Sequence, residues 1–240
     1  MRQTFTVLVA VLALAAGAPA AAETIPVGKL PRTVVPSKVA VEMKIDPAQA
    51  RFSGRVTMQV DVAEATRTFW MHGRDLSITR ATFAPVNGKN LDLTLAEVDI
   101  SGVLKVTAPA PLAKGRAVIP IDYPAPFGQL QGAYKVKPDG HDYVVTQMEA
   151  LGARNTFPGF DEPSFKQPWD ISLVVPDGQV AVANTRELRR EKAGDGWTRH
   201  VFATSENLPS YLIAFAVGPW DVVDGPDLPA NAVRATPVKL

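Results

Sequence analysis

Alternation of apolar and polar residues recurs in separate short stretches of this chain, and it restricts the chain to sheet structure. Val39, Val41, Met43 and Ile45 stand two apart with polar residues mostly between them. Val56, Met58, Val60 and Val62 repeat the pattern after Gly54, and Leu91, Leu93 and Leu95 repeat it again. Successive side chains on a strand point to opposite faces, so this period buries one face and wets the other. Ile119 with Ile121, and Val180 with Val182, read the same way. Ile171 to Val175 and Tyr211 to Val217 are more continuously apolar, as expected of strands covered on both faces.

Turn signals separate these runs: Asn87-Gly88, Pro138-Asp139-Gly140, Pro176-Asp177-Gly178 and Gly194-Asp195-Gly196. Glycine supplies positive φ there, and Asp or Asn tolerates the turn. Prolines spread through the chain work against long helices. Thr185 to Lys192 offers a short charged helix, and a hairpin loop fits it equally. Short strands at this spacing predict an all-β fold, a sandwich or saddle-like arrangement of mostly antiparallel strands.

The first residues read as an export signal. Arg2 gives a positive start, Val7 to Ala16 an apolar run, and Ala18 to Ala22 a small-residue site. The apolar run is too short to span a membrane as a helix. The expected organisation is a signal peptide over 1–22, a β domain over 23–224, and a Pro- and Ala-rich connector over 225–240. The expected location is periplasmic or secreted, with no membrane span after signal cleavage.

Opposite charges nearly cancel, with 25 Lys and Arg against 24 Asp and Glu, so there is no electrostatic footprint for nucleic acid or anionic lipid. The chain has no cysteine, which removes thiol nucleophiles and leaves only His and carboxylates as zinc ligands. Its three histidines, His72, His141 and His200, are scattered, and none forms the H-E-x-x-H pattern that sets two imidazoles on one helical face. No G-x-S-x-G elbow and no phosphate-cradling glycine loop is present. Trp70, Trp169, Trp197 and Trp220 could stack on sugars, although core or rim positions are the ordinary fate of tryptophan in a β protein.

One stretch is unlike its surroundings: TQMEALGARNTFPGFDEPSFKQPWDISLVVP, Thr146 to Pro176. Tyr143 to Glu149 reads as a strand, so Gln147 and Glu149 share one face, and Thr146 and Met148 the other. A carboxylate beside an amide is either a recognition pair for an ammonium group or a solvated strand face. Arg154 has a planar fork suited to a carboxylate, and Asp161 or Glu162 is near in sequence. An ion pair fixing an irregular loop is the expected role of Arg154, Asp161 and Glu162. Pro158 and Pro163 stiffen that loop, and Gly159 permits a tight turn. Asp161 and Glu162 as acid and base is the weaker reading, because neighbouring positions rarely aim at one atom.

The same stretch resembles the signature of the N-terminal domain in zinc aminopeptidases of the aminopeptidase N family, which are related to leukotriene A4 hydrolase. That signature reads T-Q-x-E, A-R, F-P-C-x-D-E-P and K. Here it stands as Thr146-Gln147-Met148-Glu149, Ala153-Arg154, Phe157-Pro158-Gly159-Phe160-Asp161-Glu162-Pro163 and Lys166. LPRTVVPSKVAVEMKID from Leu30, FSGRVTMQVDV from Phe52 and LPSYLIAFAVGPWD from Leu208 are similar to further strands of that domain.

The resemblance implies a saddle or sandwich domain that packs on a thermolysin-like catalytic domain. By motif position it implies that Gln147 lines the pocket for the first substrate side chain. It implies that Glu149 binds the free α-ammonium of a peptide N-terminus. The family's zinc motif, its distal glutamate ligand and its G-x-M-E-N loop are absent from this sequence, and Gly159 stands where a cysteine is usual. The chain is therefore expected to hold no zinc and no catalytic residue. Zinc is expected in a catalytic domain in cis or on a separate chain, and this chain alone is expected not to cleave aminoacyl reporters. A non-catalytic peptide- or protein-binding β module is the alternative.

Overall fold

The computed structural model describes residues 24–223, 225–226 and 229–230. The signal peptide expected over 1–22 lies outside these residues, as does most of the connector expected over 225–240. The described chain forms β1 (Val34–Lys44), β2 (Arg51–Val62), β3 (Thr66–His72), β4 (Arg80–Pro85), β5 (Leu91–Asp92), β6 (Thr94–Asp99), β7 (Val103–Leu112) and β8 (Gly115–Pro126). It continues with β9 (Gly132–Val136), β10 (Tyr143–Gln147), β11 (Trp169–Pro176), β12 (Val180–Ala183), β13 (Glu187–Lys192), β14 (Trp197–Phe202) and β15 (Phe215–Gly218).

These strands make three sheets. The large sheet runs β13-β14-β11-β1-β2-β8-β4-β5; the others are β12-β15-β10-β9 and β3-β7-β6. β1 is parallel to β11, and its pairing with β2, like that of β2 with β8, is antiparallel. The fold is all-β and mostly antiparallel, and short 3-10 turns are its helical content.

Register explains the core. Val41 pairs with Val56, which pairs with Ile121; Val39 pairs with Met58, which pairs with Ile119. All six side chains are buried, in one cluster with inner residues of the smaller sheets such as Phe69, Val106, Val144 and Val217. Burying a Val, Ile or Met side chain stabilises by about 1.5–3 kcal/mol. Gly54 pairs with Tyr123, and a Cβ on Gly54 would stand 2.5 Å from the Tyr123 hydroxyl oxygen, so the ring fills the space a side chain would need. The opposite face of the large sheet is polar. Arg55 holds Asp122 with two bonds of 2.5 and 3.0 Å, and Arg199 Nε stands 3.0 Å from Glu42 Oε2.

Some elements differ from the sequence reading. The Leu91–Leu95 run is not one strand: Leu93 donates its amide to Ala81 O at 2.9 Å, between β5 on one sheet and β6 on another. The Val180–Val182 alternation is inverted. Ala181 faces the core opposite Val217, and Val182 is 50% exposed. Thr185–Lys192 is neither helix nor loop, since its Glu187–Lys192 part is β13, paired with β14. Tyr211–Val217 begins with a 3-10 turn, Ser210–Leu212; in β15 Phe215 and Val217 are buried and Ala216 is half-buried, so one face is covered rather than both. Two of the four tryptophans, Trp70 and Trp169, are buried in the core and present no stacking surface to a sugar.

Candidate functional site

β10 ends at Gln147, opposite Gly132 of β9, so the strand expected to reach Glu149 stops two residues short. The alternation nevertheless carries through the strand end. Met148 is buried, and Gln147 and Glu149 are both exposed on either side of it. The peptide bond between Glu149 and Ala150 is cis.

Tight backbone packing fixes the turn that follows. The Gly152 amide donates to Met148 O at 2.7 Å. A Cβ on Gly152 would stand 2.5 Å from Gln147 O and 2.8 Å from Gly132 N, so no larger residue fits without displacing the strand end. Gly132 has φ +71°, in the left-handed region that glycine adopts without a Cβ penalty. Thr156, fully buried, accepts the Ala133 amide at 2.8 Å and lies 3.6 Å from the Met148 sulfur.

Beneath this turn lies a buried polar hub. Arg154 Nε donates to Asp161 Oδ2 at 2.9 Å, Nη2 to Asp161 O at 3.1 Å and Nη1 to Ser101 O at 2.6 Å. Ser210 donates to Asp161 Oδ1 at 2.5 Å. The Asp161 amide donates to His72 Nδ1 at 3.2 Å, which leaves the imidazole proton on Nε2. Burial, with the Arg154 cation adding to it and Asp161 opposing, lowers the His72 pKa to about 4. Glu162 is also buried; it accepts the Leu30 amide and, at 3.2 Å, the Ser164 hydroxyl. Gly159 makes no tight turn. It bridges His72 in an extended pairing of 2.7 and 2.9 Å, and a Cβ there would meet nothing within 4 Å.

Arg154, Asp161 and Glu162 are therefore held inside the protein, while Gln147 and Glu149 sit on its surface and Lys166 is exposed. Neither Gln147 nor Glu149 lines the described clefts, including one of about 480 Å³ bounded by Ile25, Leu30, His72, Leu151 and Arg154. His72, Ser101, Thr156 and Ser210 support the site without having been marked by sequence spacing. Ser101 is 53 residues from Arg154, and His72 is 89 from Asp161.

The described residues do not fit a zinc ion. Among the described residues no three His, Cys, Asp or Glu side chains come together, and His72 Nδ1 is already engaged by the Asp161 amide. Among the described residues no helix is long and apolar enough to cross a membrane.

Residues 35–212 match the model of the peptidase M1 N-terminal domain. The chain belongs to this family. The M1 N-terminal domain described here is 31% identical over 222 residues to aminopeptidase M1-D of Oryza sativa subsp. japonica, covering 90% of this chain and 25% of the rice protein. It is 28% identical to aminopeptidase N of Acetobacter pasteurianus, covering 94% of this chain and 65% of that one. It is 29% identical to mouse (Mus musculus) glutamyl aminopeptidase, covering 79% of this chain and 21% of that one. The M1 N-terminal domain thus spans less than two thirds of each of these relatives.

Proposed function

We propose that this chain is the substrate-gripping lip of an exported aminopeptidase, with Glu149 holding the α-ammonium of a peptide N-terminus and Gln147 beside the first substrate side chain. The observation that carries this reading is the strand-end alternation: Gln147 and Glu149 are exposed while Met148 is anchored between them. A carboxylate accepts from an ammonium through charge-assisted hydrogen bonds, and an amide both donates and accepts. The relatives named above are aminopeptidases, which supports a free peptide N-terminus as the ligand.

The grip works by position. The Gly152 turn packs against the strand end, and the Arg154–Asp161 pair closes the loop that follows it. The chemistry of bond cleavage belongs to another portion of polypeptide, in cis or separate, which in this reading is the zinc-bearing part. Export rests on the Arg2 to Ala22 pattern.

Kinetics test the reading. Residues 24–240 purified alone turn over no aminoacyl anilide, and the aminopeptidase of the source organism that contains this domain does. In that enzyme Glu149→Gln lowers kcat/KM roughly tenfold to a hundredfold, the size of one lost charged hydrogen bond. A Glu149→Gln enzyme with unchanged kcat/KM removes the proposed role.

A further inference from the structure

A cleft of about 480 Å³ opens where the segment leading into β1 passes the turn between β6 and β7. Its walls are mainly apolar: Ile25, Val27, Leu30, Val103 and Leu151. Asp99 and Ser101 stand at its exposed edge, and two buried polar side chains, His72 and Arg154, complete the lining. Apolar walls around a few convergent polar groups, at a volume of about 300–1,000 Å³, are the usual makeup of a small-molecule site. Neither Gln147 nor Glu149 lines this cleft, so its occupant is separate from the amine grip.

Both buried side chains have donors to spare. His72 is 4% exposed, and the Asp161 amide takes its Nδ1, which puts the ring proton on Nε2. Among the described residues Nε2 has no hydrogen-bond partner, yet it is not one of the fully enclosed orphan atoms. Its proton therefore reaches the opening that the ring lines. Arg154 commits one N–H each to Asp161 Oδ2, Asp161 O and Ser101 O, and a guanidinium carries more donors than these. At His72 the field of Arg154 outweighs that of Asp161, so the floor of the cleft is electropositive. The Asp99 carboxylate at the edge accepts the Ser101 amide at 2.8 Å and lies in solvent, where its charge is screened.

We propose that this cleft binds a short apolar carboxylate, with its oxygens on His72 Nε2–H and the Arg154 fork and its hydrocarbon end against Leu30, Val103 and Leu151. A carboxylate accepts several hydrogen bonds and gains from a nearby cation, whereas an ammonium has no lone pair to offer either donor. The apolar walls disfavour a ligand that is polar throughout, because its other groups would be buried unpaired. A ligand of this size binds in the millimolar range.

Titration of the isotope-labelled full chain with 4-methylpentanoate, followed by nuclear magnetic resonance at low salt, tests the site. The expected result is a saturable millimolar shift at the His72 Nε2 resonance and at residues 25–30, 99–103 and 151–154, with none from 4-methylpentan-1-amine. Leucine, the same skeleton with an α-ammonium, separates a simple acid from an amino acid as the source: a tighter response to either supports the site and names the source. Leu151 is 53% exposed, so its replacement leaves the fold in place, which an unchanged unfolding midpoint checks. Leu151→Lys is expected to tighten 4-methylpentanoate binding and Leu151→Glu to weaken it, each by about twofold to fivefold, the size of one exposed charge contact. An equal response to the amine, the reverse order of the two variants, or no saturable shift at these residues, which would mean that the cleft takes up water only, overturns the assignment. None of these outcomes bears on Glu149.

Discussion

Arg154 Nε stands 2.9 Å from Asp161 Oδ2, with both side chains buried and the guanidinium also bound to the carbonyls of Ser101 and Asp161. Seven residues of chain separate the two, and the pair closes the loop between the Glu149 turn and β11.

Removing one partner leaves the other charge buried and unpaired. Arg154→Ala or Asp161→Ala is expected to cost about 3–5 kcal/mol, and Arg154→Met with Asp161→Leu substantially less than the two single costs combined. Urea unfolding of the four proteins measures this. Strictly additive losses would mean that the pair is not a coupled unit.

His72 titrates inside this hub. Its pKa is lowered in the folded protein to about 4, so folding favours the neutral ring, which accepts the Asp161 amide. The unfolded chain takes up the proton first as pH falls below about 6.5. Stability is therefore fully present above that pH and is lost as pH falls from about 6.5 toward 4, by on the order of 3 kcal/mol. His72→Asn keeps an acceptor at the Nδ1 position and is expected to flatten that slope. The check is the urea midpoint between pH 7 and pH 4 for both proteins, and equal slopes would contradict the assignment.

Tyr123 is buried with no partner for its hydroxyl among the described residues, and burial raises the pKa of that hydroxyl. Tyr123→Phe removes an unsatisfied polar group and keeps the ring that covers Gly54, so it is expected to be neutral or to stabilise by about 1 kcal/mol. Gly54→Ala drives a methyl into the same ring and is expected to cost about 1–3 kcal/mol. Thermal unfolding of the two variants gives the signs.

Gly152→Ala puts a methyl against Gln147 O and Gly132 N, and is expected to displace the strand end that carries Gln147 and Glu149. The amide resonances of residues 147–149 should shift while those of β1 and β2 stay in place. Shifts spread evenly over the domain would show that the turn does not act locally.

Much of the fold was legible because burial period and turn chemistry are local signals. β1, β2 and β8 follow from alternating Val, Met and Ile residues, and the exposed-buried-exposed pattern at Gln147, Met148 and Glu149 follows the same alternation, on which the proposed site rests. The failures occurred where tertiary pairing decides. Val180 and Val182 alternate correctly, yet the pairing of Ala181 with Val217 selects the other face. Glu187 and Arg190 stand at a helical spacing, but pairing with β14 holds that segment extended. The hub was half legible: Arg154 and Asp161 are close in sequence, while His72, Ser101 and Ser210 reach it from distant strands and turns that no spacing links.

The central claim is that Glu149 grips a free amine. Titration of isotope-labelled residues 24–240 with a millimolar tripeptide, and with the same peptide Nα-acetylated, tests it by nuclear magnetic resonance at low salt. The account predicts shifts at Gln147 and Glu149 with the free amine that vanish on acetylation and in Glu149→Gln. Equal shifts with both peptides, or a free-amine response that survives Glu149→Gln, would contradict it.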